Sequence, residues 1–288
     1  MAWTEVPARD ARYRRLAILS SRSKGGDFVP SPGEDLRLPE LKRTVKAIRN
    51  ISKAFTKCDQ LWSRSAISTV QHYIARHSVK RVLALALGVG VFSHSSSAAL
   101  LQMGWFLSLT QALRQQLSQE AVCLMYFDPQ AGAFEQRCCD ALGVDFGQEN
   151  MRGAYLPPEN HMVIAFMPHC GAALYHNLIV ANLRAAEGPG ELSADLCPLV
   201  IVGNDIRKYS VREEFCMGRL CSLFQYHVVP TSRSRKDGGI AGFSFTDVEN
   251  AFSDMTVMTL DPQQPFPASG GKLRKRDLRL ISTEKDVL

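Results

Sequence analysis

The segment Arg81-Val-Leu-Ala-Leu-Ala-Leu-Gly88 is a short apolar run that ends in glycine, and an amphipathic helical pattern follows it over about 96–117. The same arrangement recurs three times along the chain. Its apolar runs cover 121–127, 161–167 and 198–202, and its helical patterns cover about 134–142, 172–186 and 211–223. Apolar runs that alternate with helices are typical of βαβ units, whose parallel sheet is buried on both faces. The pattern therefore predicts an α/β fold.

Further elements extend this core in both directions. The segments 226–229 and 255–260 are candidate fifth and sixth strands, and a long helical pattern with apolar residues at a 3.6 period covers 41–76. We predict a Rossmann-like, mostly parallel sheet of about five to six strands, flanked by helices and preceded by a long N-terminal helix. The sequence leaves open whether this helix packs on the sheet or projects from it.

The 288 residues are enough for two domains of roughly 150 residues or for one large α/β domain. Residues 1–39 contain four prolines, a Gly-Gly pair and little periodicity, which is typical of a tail. A segment rich in proline and glycine, 261–271, marks the other boundary. We predict one α/β domain over 40–262, between a disordered tail, 1–39, and a basic tail, 263–288.

The composition excludes two broad classes of protein. Hydrophobic residues make up 45% and charged residues 22%, close to the average for a folded soluble chain, so a mostly disordered protein is excluded. The longest nearly uncharged apolar stretch, 82–92, is shorter than the roughly 20 residues that span a bilayer. Residues 1–15 lack the apolar core of a signal peptide. We expect no membrane span and a location in the cytoplasm, the nucleus or both.

Eight cysteines are present, and their placement favours free thiols in a reducing compartment. Three lie in or beside apolar runs: Cys123, Cys170 and Cys197. Cys138 and Cys139 are adjacent in a helical pattern, and the chain has no Cys-x-x-Cys pair. We therefore expect no structural zinc site and assign no metal ligand.

The net charge of +6 is unevenly spread, since residues 37–81 hold eleven Lys and Arg against two acids. Five of these cations share one predicted helix face: Lys42, Lys46, Arg49, Lys53 and Lys57. Such a face is usually solvated, but it would also attract an acidic partner. Nucleic-acid binding favours aromatic residues on the basic face, whereas Phe55 and Trp62 lie on the apolar one. Residues 272–276 resemble a nuclear-import signal.

Unusual residues follow the predicted carboxyl end of every early strand, where open parallel sheets bind their ligands. These residues are Gly88-Val-Gly90 with a serine run from Ser93, Asp128, His169-Cys170 and Gly203-Asn204. Because the carboxyl ends of parallel strands share one edge, we expect these residues to converge there. Tyr175 and Asn177, on the helix after His169, complete the candidate ligand-binding set.

Each candidate has a functional and a structural interpretation. The Gly88-x-Gly90 turn would admit a ligand, and serines at a helix start suit an anion, but a tight turn with serine caps explains them equally well. Ser93 stands where the dinucleotide fingerprint has its third glycine. Asp128 would bind a ribose hydroxyl or cap the next helix, and it lies 40 residues after Gly88 rather than about 20.

His169 beside Cys170 suggests an activated thiolate. However, adjacent residues on an extended segment point in opposite directions and would not act on one atom. We therefore predict that Cys170 is buried and that His169 lies in a ligand cleft or caps the following helix. No catalytic residue is assigned.

Several segments between about residues 81 and 260 form an ordered set: Phe127-Asp128-Pro129 with Glu135, Met167-Pro168-His169-Cys170, Leu174-Tyr175-x-Asn177-Leu178, Ala181-Asn182, Gly203-Asn204 with Tyr209, and Ala251-Phe252-Ser253-Asp254. Together with the Gly88-Val-Gly90 turn, this set resembles the Sensitivity-to-Red-light-Reduced-like (SRR-like) domain family. The chain departs from the family at Asp205-Ile206, where Ser-Phe is usual, and at Met255, where a Thr is usual.

The resemblance implies a regulatory role, in light and circadian signalling in plants and in haem synthesis and clock-gene expression in animals, without an established reaction. We hypothesise a non-catalytic regulator with protein partners and a small-molecule site at the strand edge for a nucleoside-type or haem ligand; the cofactor is unassigned. One alternative is a methyltransferase-like Rossmann enzyme that binds a nucleoside cofactor through Gly88, Gly90 and Asp128. A second alternative is a nucleic-acid-associated protein that uses the basic helix and tail.

Overall fold

The computed structural model describes residues 38–57, 61–92, 96–157, 161–185, 199–210, 217–228 and 239–260. The elements in chain order are α1 Leu38–Lys57, α2 Leu61–Arg76, β1 Val82–Leu87, α3 Ser97–Gln116, β2 Val122–Phe127, α4 Ala133–Leu142, β3 Asp145–Phe146, β4 Met162–Met167, α5 Ala172–Ala185, β5 Leu199–Asn204, a 3-10 helix Ile206–Tyr209, α6 Met217–Cys221, β6 Phe224–Val228, α7 Phe245–Ala251 and β7 Met255–Leu260. The predicted tails lie outside the described residues, except that α1 begins at Leu38, two residues before the predicted boundary.

The strands form one sheet in the order β3-β2-β1-β4-β5-β7-β6. The first five are parallel, and β7 runs antiparallel to both β5 and β6. Every residue of β1, β4 and β7 is buried, because helices cover both faces of the sheet. The α/β, Rossmann-like, mostly parallel architecture predicted from the sequence is thus confirmed.

The sheet has seven strands, more than the five to six predicted. The additional strand, β3, is a two-residue edge strand that pairs Asp145 and Phe146 with the end of β2. Two residues are too few to form an apolar run, so no pattern marked this strand. The predicted helix over 211–223 is described only as the short α6, since residues 211–216 lie outside the described part of the chain.

Two apolar cores lie on opposite faces of the sheet. Alternate residues of β1 enter different cores, with Val82, Ala84 and Ala86 on one face and Leu83, Leu85 and Leu87 on the other. The first core contains α1 to α4 and α7, and the second contains α5, α6 and the 3-10 helix. In the first core the rings of Trp62, Trp105 and Phe252 pack on one another.

The long helix predicted over 41–76 corresponds to α1 and α2, with residues 58–60 outside the described part. Both helices pack on the domain. The backbone of Gly104 in α3 lies so close to α1 that a Cβ added there would be 2.7 Å from Cβ of Ile51. In α2, the Tyr73 hydroxyl donates a hydrogen bond to the Leu260 carbonyl of β7. Among the described residues, no helix has both the length and the hydropathy to cross a bilayer.

Candidate functional site

The loops that follow β1, β2, β4 and β5 lie along the carboxyl edge of the sheet, since these strands are parallel neighbours in the order β2-β1-β4-β5. The direction in which successive strands are added reverses between β1 and β4. In open α/β sheets, such a reversal separates the loops and forms a crevice for ligands. All candidate residues that the structure describes, apart from Asn177, lie in or against these loops.

The loop after β1 has an unusual backbone conformation. Gly88 and Gly90 have φ values of +64° and +88°, in the region that favours glycine. A Cβ at Gly88 would lie 2.7 Å from Sγ of Cys170, so the missing side chain lets this loop pass against the loop after β4. Ser93 lies outside the described residues, and Ser96 accepts a hydrogen bond from the Ala99 amide as the N-cap of α3.

Asp128 joins the loop after β1 to the loop after β2. Its Oδ2 accepts a hydrogen bond of 2.8 Å from the Gly90 amide, and its Oδ1 accepts one of 2.9 Å from the Gln130 amide. The side chain is buried, with only 7% of the residue exposed. Asp128 does not cap the next helix, because the N-cap of α4 is Gly132. Its carboxylate therefore positions two loops.

Two buried side chains outside the predicted candidate set, Tyr126 and Glu135, hold the same loop. The Tyr126 hydroxyl donates to the Gly90 carbonyl at 2.8 Å, and burial, reinforced by Asp128, raises the pKa of Tyr126 well above its usual value. Glu135 accepts from the Phe92 amide at 3.1 Å and from the Gly132 amide at 2.9 Å. Tyr126 lies in a continuous apolar run and Glu135 in an ordinary helical pattern, so only the resemblance pointed to Glu135.

His169 connects the loop after β4 to the end of α7. Its Nε2 lies 3.1 Å from the Asn250 carbonyl and 3.3 Å from the Ala251 carbonyl. Carbonyl oxygens only accept hydrogen bonds, so Nε2 carries the hydrogen. The Ala251 carbonyl also accepts a hydrogen bond of 2.8 Å from Gln102. Nδ1 of His169 has no hydrogen-bond partner among the described residues.

Asn204, at the end of β5, organises the same loop. Its Oδ1 accepts a hydrogen bond of 2.9 Å from the His169 amide, which supports the positive φ of +55° at His169. Its Nδ2 donates to the Tyr209 hydroxyl at 3.4 Å, and that hydroxyl donates to the Cys170 carbonyl at 3.0 Å. Side-chain hydrogen bonds therefore connect the carboxyl end of β4 to the carboxyl end of β5.

Cys170 is buried, as predicted, while the adjacent His169 is exposed. Its Sγ lies 3.4 Å from the Leu87 carbonyl. Burial, with a smaller contribution from Asp128, raises the pKa of this thiol to about 12. The thiol therefore stays protonated near neutral pH and lacks the thiolate that a nucleophile needs.

Tyr175 packs between the ends of β4 and β5. Its hydroxyl donates to the Met167 carbonyl at 2.5 Å and accepts from the Asn204 amide at 2.8 Å. Gly203 leaves room for this ring, because a Cβ there would contact the hydroxyl and would lie 2.6 Å from the Met167 carbonyl oxygen. Tyr175 and Gly203 thus act as one packing unit.

Asn177 lies apart from the other candidates. Its Nδ2 donates to the Arg152 carbonyl at 2.7 Å, and Asn182 on the same helix donates to the Tyr155 carbonyl at 3.0 Å. Both side chains hold the segment between β3 and β4 against α5. These two hydrogen bonds are made to that segment, away from the loops at the carboxyl edge.

The chemistry of the carboxyl edge follows from these contacts. Both carboxylates and both tyrosine hydroxyls, Tyr126 and Tyr175, hydrogen-bond to the backbone. Within the described ranges, no group of three His, Cys, Asp or Glu side chains is placed to hold a metal ion. The carboxyl edge therefore consists of loops held in place by hydrogen bonds, on both sides of the point between β1 and β4 where the strand order reverses.

The matching domain family and a related sequence agree with the resemblance seen in the sequence, while the solved structures are only weakly similar. The structure has a TM-score of 0.32 to the plantazolicin methyltransferase BpumL in complex with a pentazolic desmethylPZN analog and SAH, at 11% identity over 77% of this chain and 99% of the other. The complex of the same enzyme with a triazolic analog gives 0.31 and 12%, with the same coverage. The SRR1-like protein of Mus musculus is 26% identical over 198 residues, which are 69% of this chain and 72% of the mouse protein. The SRR1 domain matches residues 55–259, well over half of the sequence. This chain therefore belongs to the SRR1 domain family.

Proposed function

We propose that this chain is a regulatory protein that acts by binding and not by catalysis, with its small-molecule site at the carboxyl edge between β1 and β4. The observation that carries the proposal is that polar side chains at the carboxyl edge form hydrogen bonds to the backbone of the surrounding loops. The four carboxylate oxygens of Asp128 and Glu135 accept hydrogen bonds from four backbone amides. These contacts support a preorganised binding surface.

The same contacts disfavour general acid–base catalysis. A general base needs a lone pair within hydrogen-bonding reach of the proton that it removes. Asp128 and Glu135 are buried and directed at loop amides, and Cys170 holds its proton. The amides of Gly88 and Gly90 and the Gly90 carbonyl are also occupied, by Phe127, Asp128 and Tyr126. Among the described groups of this edge, the Nδ1 atom of His169 is left for a ligand.

The position of the edge supports a nucleoside-type or haem ligand. The reversal between β1 and β4 is the usual ligand position in open α/β sheets. Ligand binding here would change the surface that protein partners meet. On the family resemblance, we propose circadian or light-type signalling, or regulation of haem synthesis, as the process, in the cytoplasm or nucleus.

The enzyme alternative uses Asp128 differently, as a ligand for the ribose of a nucleoside cofactor. If Asp128 served only to bind ribose, its replacement would leave the stability of the free protein unchanged. If Asp128 fixes the two loops, its replacement lowers that stability. Asn retains one carbonyl oxygen but places an NH2 group opposite a backbone amide. We therefore expect Asp128→Asn to lower the free energy of unfolding by about 1.5–3 kcal/mol, the value of a hydrogen bond to a charged group.

A thermal-shift experiment tests both points. The purified chain and its Asp128→Asn variant are each measured alone and with adenosylmethionine, adenosylhomocysteine, NAD, NADP, ATP or haemin, with a spectral check for unspecific haemin binding. A ligand at 100 times its Kd adds about 2.7 kcal/mol, which is several degrees in a domain of this size. We expect one ligand to shift Tm in both proteins and the variant to melt lower without ligand.

Two results would contradict the proposal. A flat panel would remove the small-molecule site. Conversion of adenosylmethionine to adenosylhomocysteine by the wild-type chain, lost in an Asp128→Asn variant of unchanged stability, would establish the enzyme alternative instead.

A further inference from the structure

A groove of about 490 Å³ follows the exposed side of α1 and shares no residue with the carboxyl edge. Its lining combines apolar and cationic side chains: Leu38, Leu41, Lys42, Val45, Lys46, Arg49, Asn50 and Lys53 from α1, and Ala141 from the end of α4. The groove therefore offers two kinds of contact along a single helix.

The cationic part of the groove is strongly one-sided. Helix α1 holds six Lys and Arg residues and one acid, Glu40. Lys42, Lys46 and Lys53 are exposed and make no ion pair with another described residue. Like charges one turn apart on a helix repel one another. A partner with negative charge would relieve this repulsion.

The apolar part makes the groove more than a solvated charged face. Leu38 is 41% exposed, a large hydrophobic side chain left at the surface, and Leu41 beside it is only partly buried. Arg49 donates a hydrogen bond of 2.6 Å to the Ala141 carbonyl, which ties the side of the groove to α4. Apolar and cationic groups are thus presented together on a supported surface.

We propose that this groove binds an acidic amphipathic segment of a partner protein. The apolar side chains of that segment cover Leu38 and Leu41, and its carboxylates face Lys42, Lys46 and Lys53. An amphipathic helix in a groove is a common mode of peptide recognition, with anchors spaced at three and four residues. The spacing of the cations along α1 matches that repeat.

Charge and chemistry favour this occupant over two others. Single-stranded nucleic acid binds through aromatic stacking as well as charge, and none of the described residues that line the groove is aromatic. The chain's own termini are basic, with seven Lys and Arg against five acids in residues 1–37 and six against four in residues 261–288. Both termini would be repelled on average by the face that they would have to cover.

The test uses the full chain and a fluorescein-labelled synthetic peptide of 16 residues, in which leucine and glutamate repeat at helical spacing. Two analogues, one with glutamine for glutamate and one with serine for leucine, separate charge from apolar contact, and a labelled oligothymidine represents nucleic acid. Fluorescence anisotropy is measured at low salt and at 0.15 M salt. We expect the parent peptide to bind most tightly, each analogue to bind about tenfold more weakly, and salt to weaken binding.

Charge reversal locates the binding surface. We expect Lys46→Glu/Lys53→Glu to weaken binding of the parent peptide about tenfold, since two attractions become repulsions. The matched control, Lys80→Glu/Arg81→Glu, changes two exposed cations outside the groove and should leave binding within about twofold of wild type. Circular dichroism melts verify that both variants fold.

Three outcomes would overturn the proposal: equal weakening by both double variants, undiminished binding to Lys46→Glu/Lys53→Glu, or tighter binding of the oligothymidine than of the peptide. The last would assign the groove to nucleic acid. None of these outcomes depends on the small-molecule site, because the groove and the carboxyl edge have no residue in common.

Discussion

Replacing Gly88 by alanine tests the close approach of the loops after β1 and β4. Two costs are expected. The φ of +64° places an L-residue in the left-handed region, which costs about 1–2 kcal/mol. The new Cβ would lie 2.7 Å from Sγ of Cys170, and such overpacking costs about 1–3 kcal/mol more. We therefore expect Gly88→Ala to lower the free energy of unfolding by about 2–5 kcal/mol.

Three further variants separate these costs: Gly143→Ala, Cys170→Ala and the double variant Gly88→Ala/Cys170→Ala. Gly143, at the end of α4, has a similar φ of +71°, and no atom lies within 4 Å of an added Cβ. Gly143→Ala should therefore show only the conformational cost. In a Cys170→Ala background the sulfur is absent, so Gly88→Ala should cost about 1–3 kcal/mol less than in wild type.

Urea unfolding of the four variants and the wild type provides the double-mutant cycle. Contact between the two loops is refuted if Gly88→Ala costs no more than Gly143→Ala, or if its cost is the same with and without the Cys170 sulfur. Either result would mean that the two loops are not in contact in solution.

Two other predictions concern the same edge and its neighbouring core. Gly203→Ala should destabilise the fold, because the added Cβ would contact the Tyr175 hydroxyl and lie 2.6 Å from the backbone oxygen of Met167. Adding Tyr175→Phe removes only the first contact and should not restore stability. Full recovery in urea unfolding would contradict this packing. Burial raises the pKa of the Cys138 and Cys170 thiols from 9.0 to about 12. The unfolded chain therefore loses these protons first, so stability should hold below pH 9 and fall by about 1.4 kcal/mol per pH unit per thiol above it. Urea unfolding between pH 8 and 10 should show this fall, with a shallower slope in Cys170→Ala.

The strands that sequence patterns located well are those buried on both faces. β1 and β4 form continuous apolar runs because helices cover both sides, and the structure places them where the runs occur. Strand β3 has only two residues and depends on pairing with β2, so the local sequence carries no sign of it. The start of β6 at Phe224 was missed for a similar reason, since register with β7 determines the end of an edge strand.

The candidate site residues were selected by their positions in the chain and not by their chemistry. Residues that follow parallel strands share an edge, and the structure places Asp128, His169 and Asn204 at the carboxyl ends of neighbouring strands. Whether a side-chain oxygen or nitrogen of these residues is available to a ligand depends on which backbone groups lie within hydrogen-bonding distance. A local sequence pattern does not show this. For the same reason Tyr126 was not selected, and Asn177, whose Nδ2 donates to the Arg152 carbonyl, was grouped with residues at the carboxyl edge.

The amino-acid sequence alone determined the α/β class, the buried parallel sheet, the burial of Cys170 and the family resemblance, because these depend on the periodicity of apolar residues and on motifs in a given order. Tertiary structure alone decided that the carboxylates of Asp128 and Glu135 accept hydrogen bonds from loop amides, that α1 packs on α3, and that Ala141 of α4 lines a groove with the α1 cations. These features require segments far apart in the chain to meet, and their hydrogen bonds and charges take effect only at the distances that folding sets.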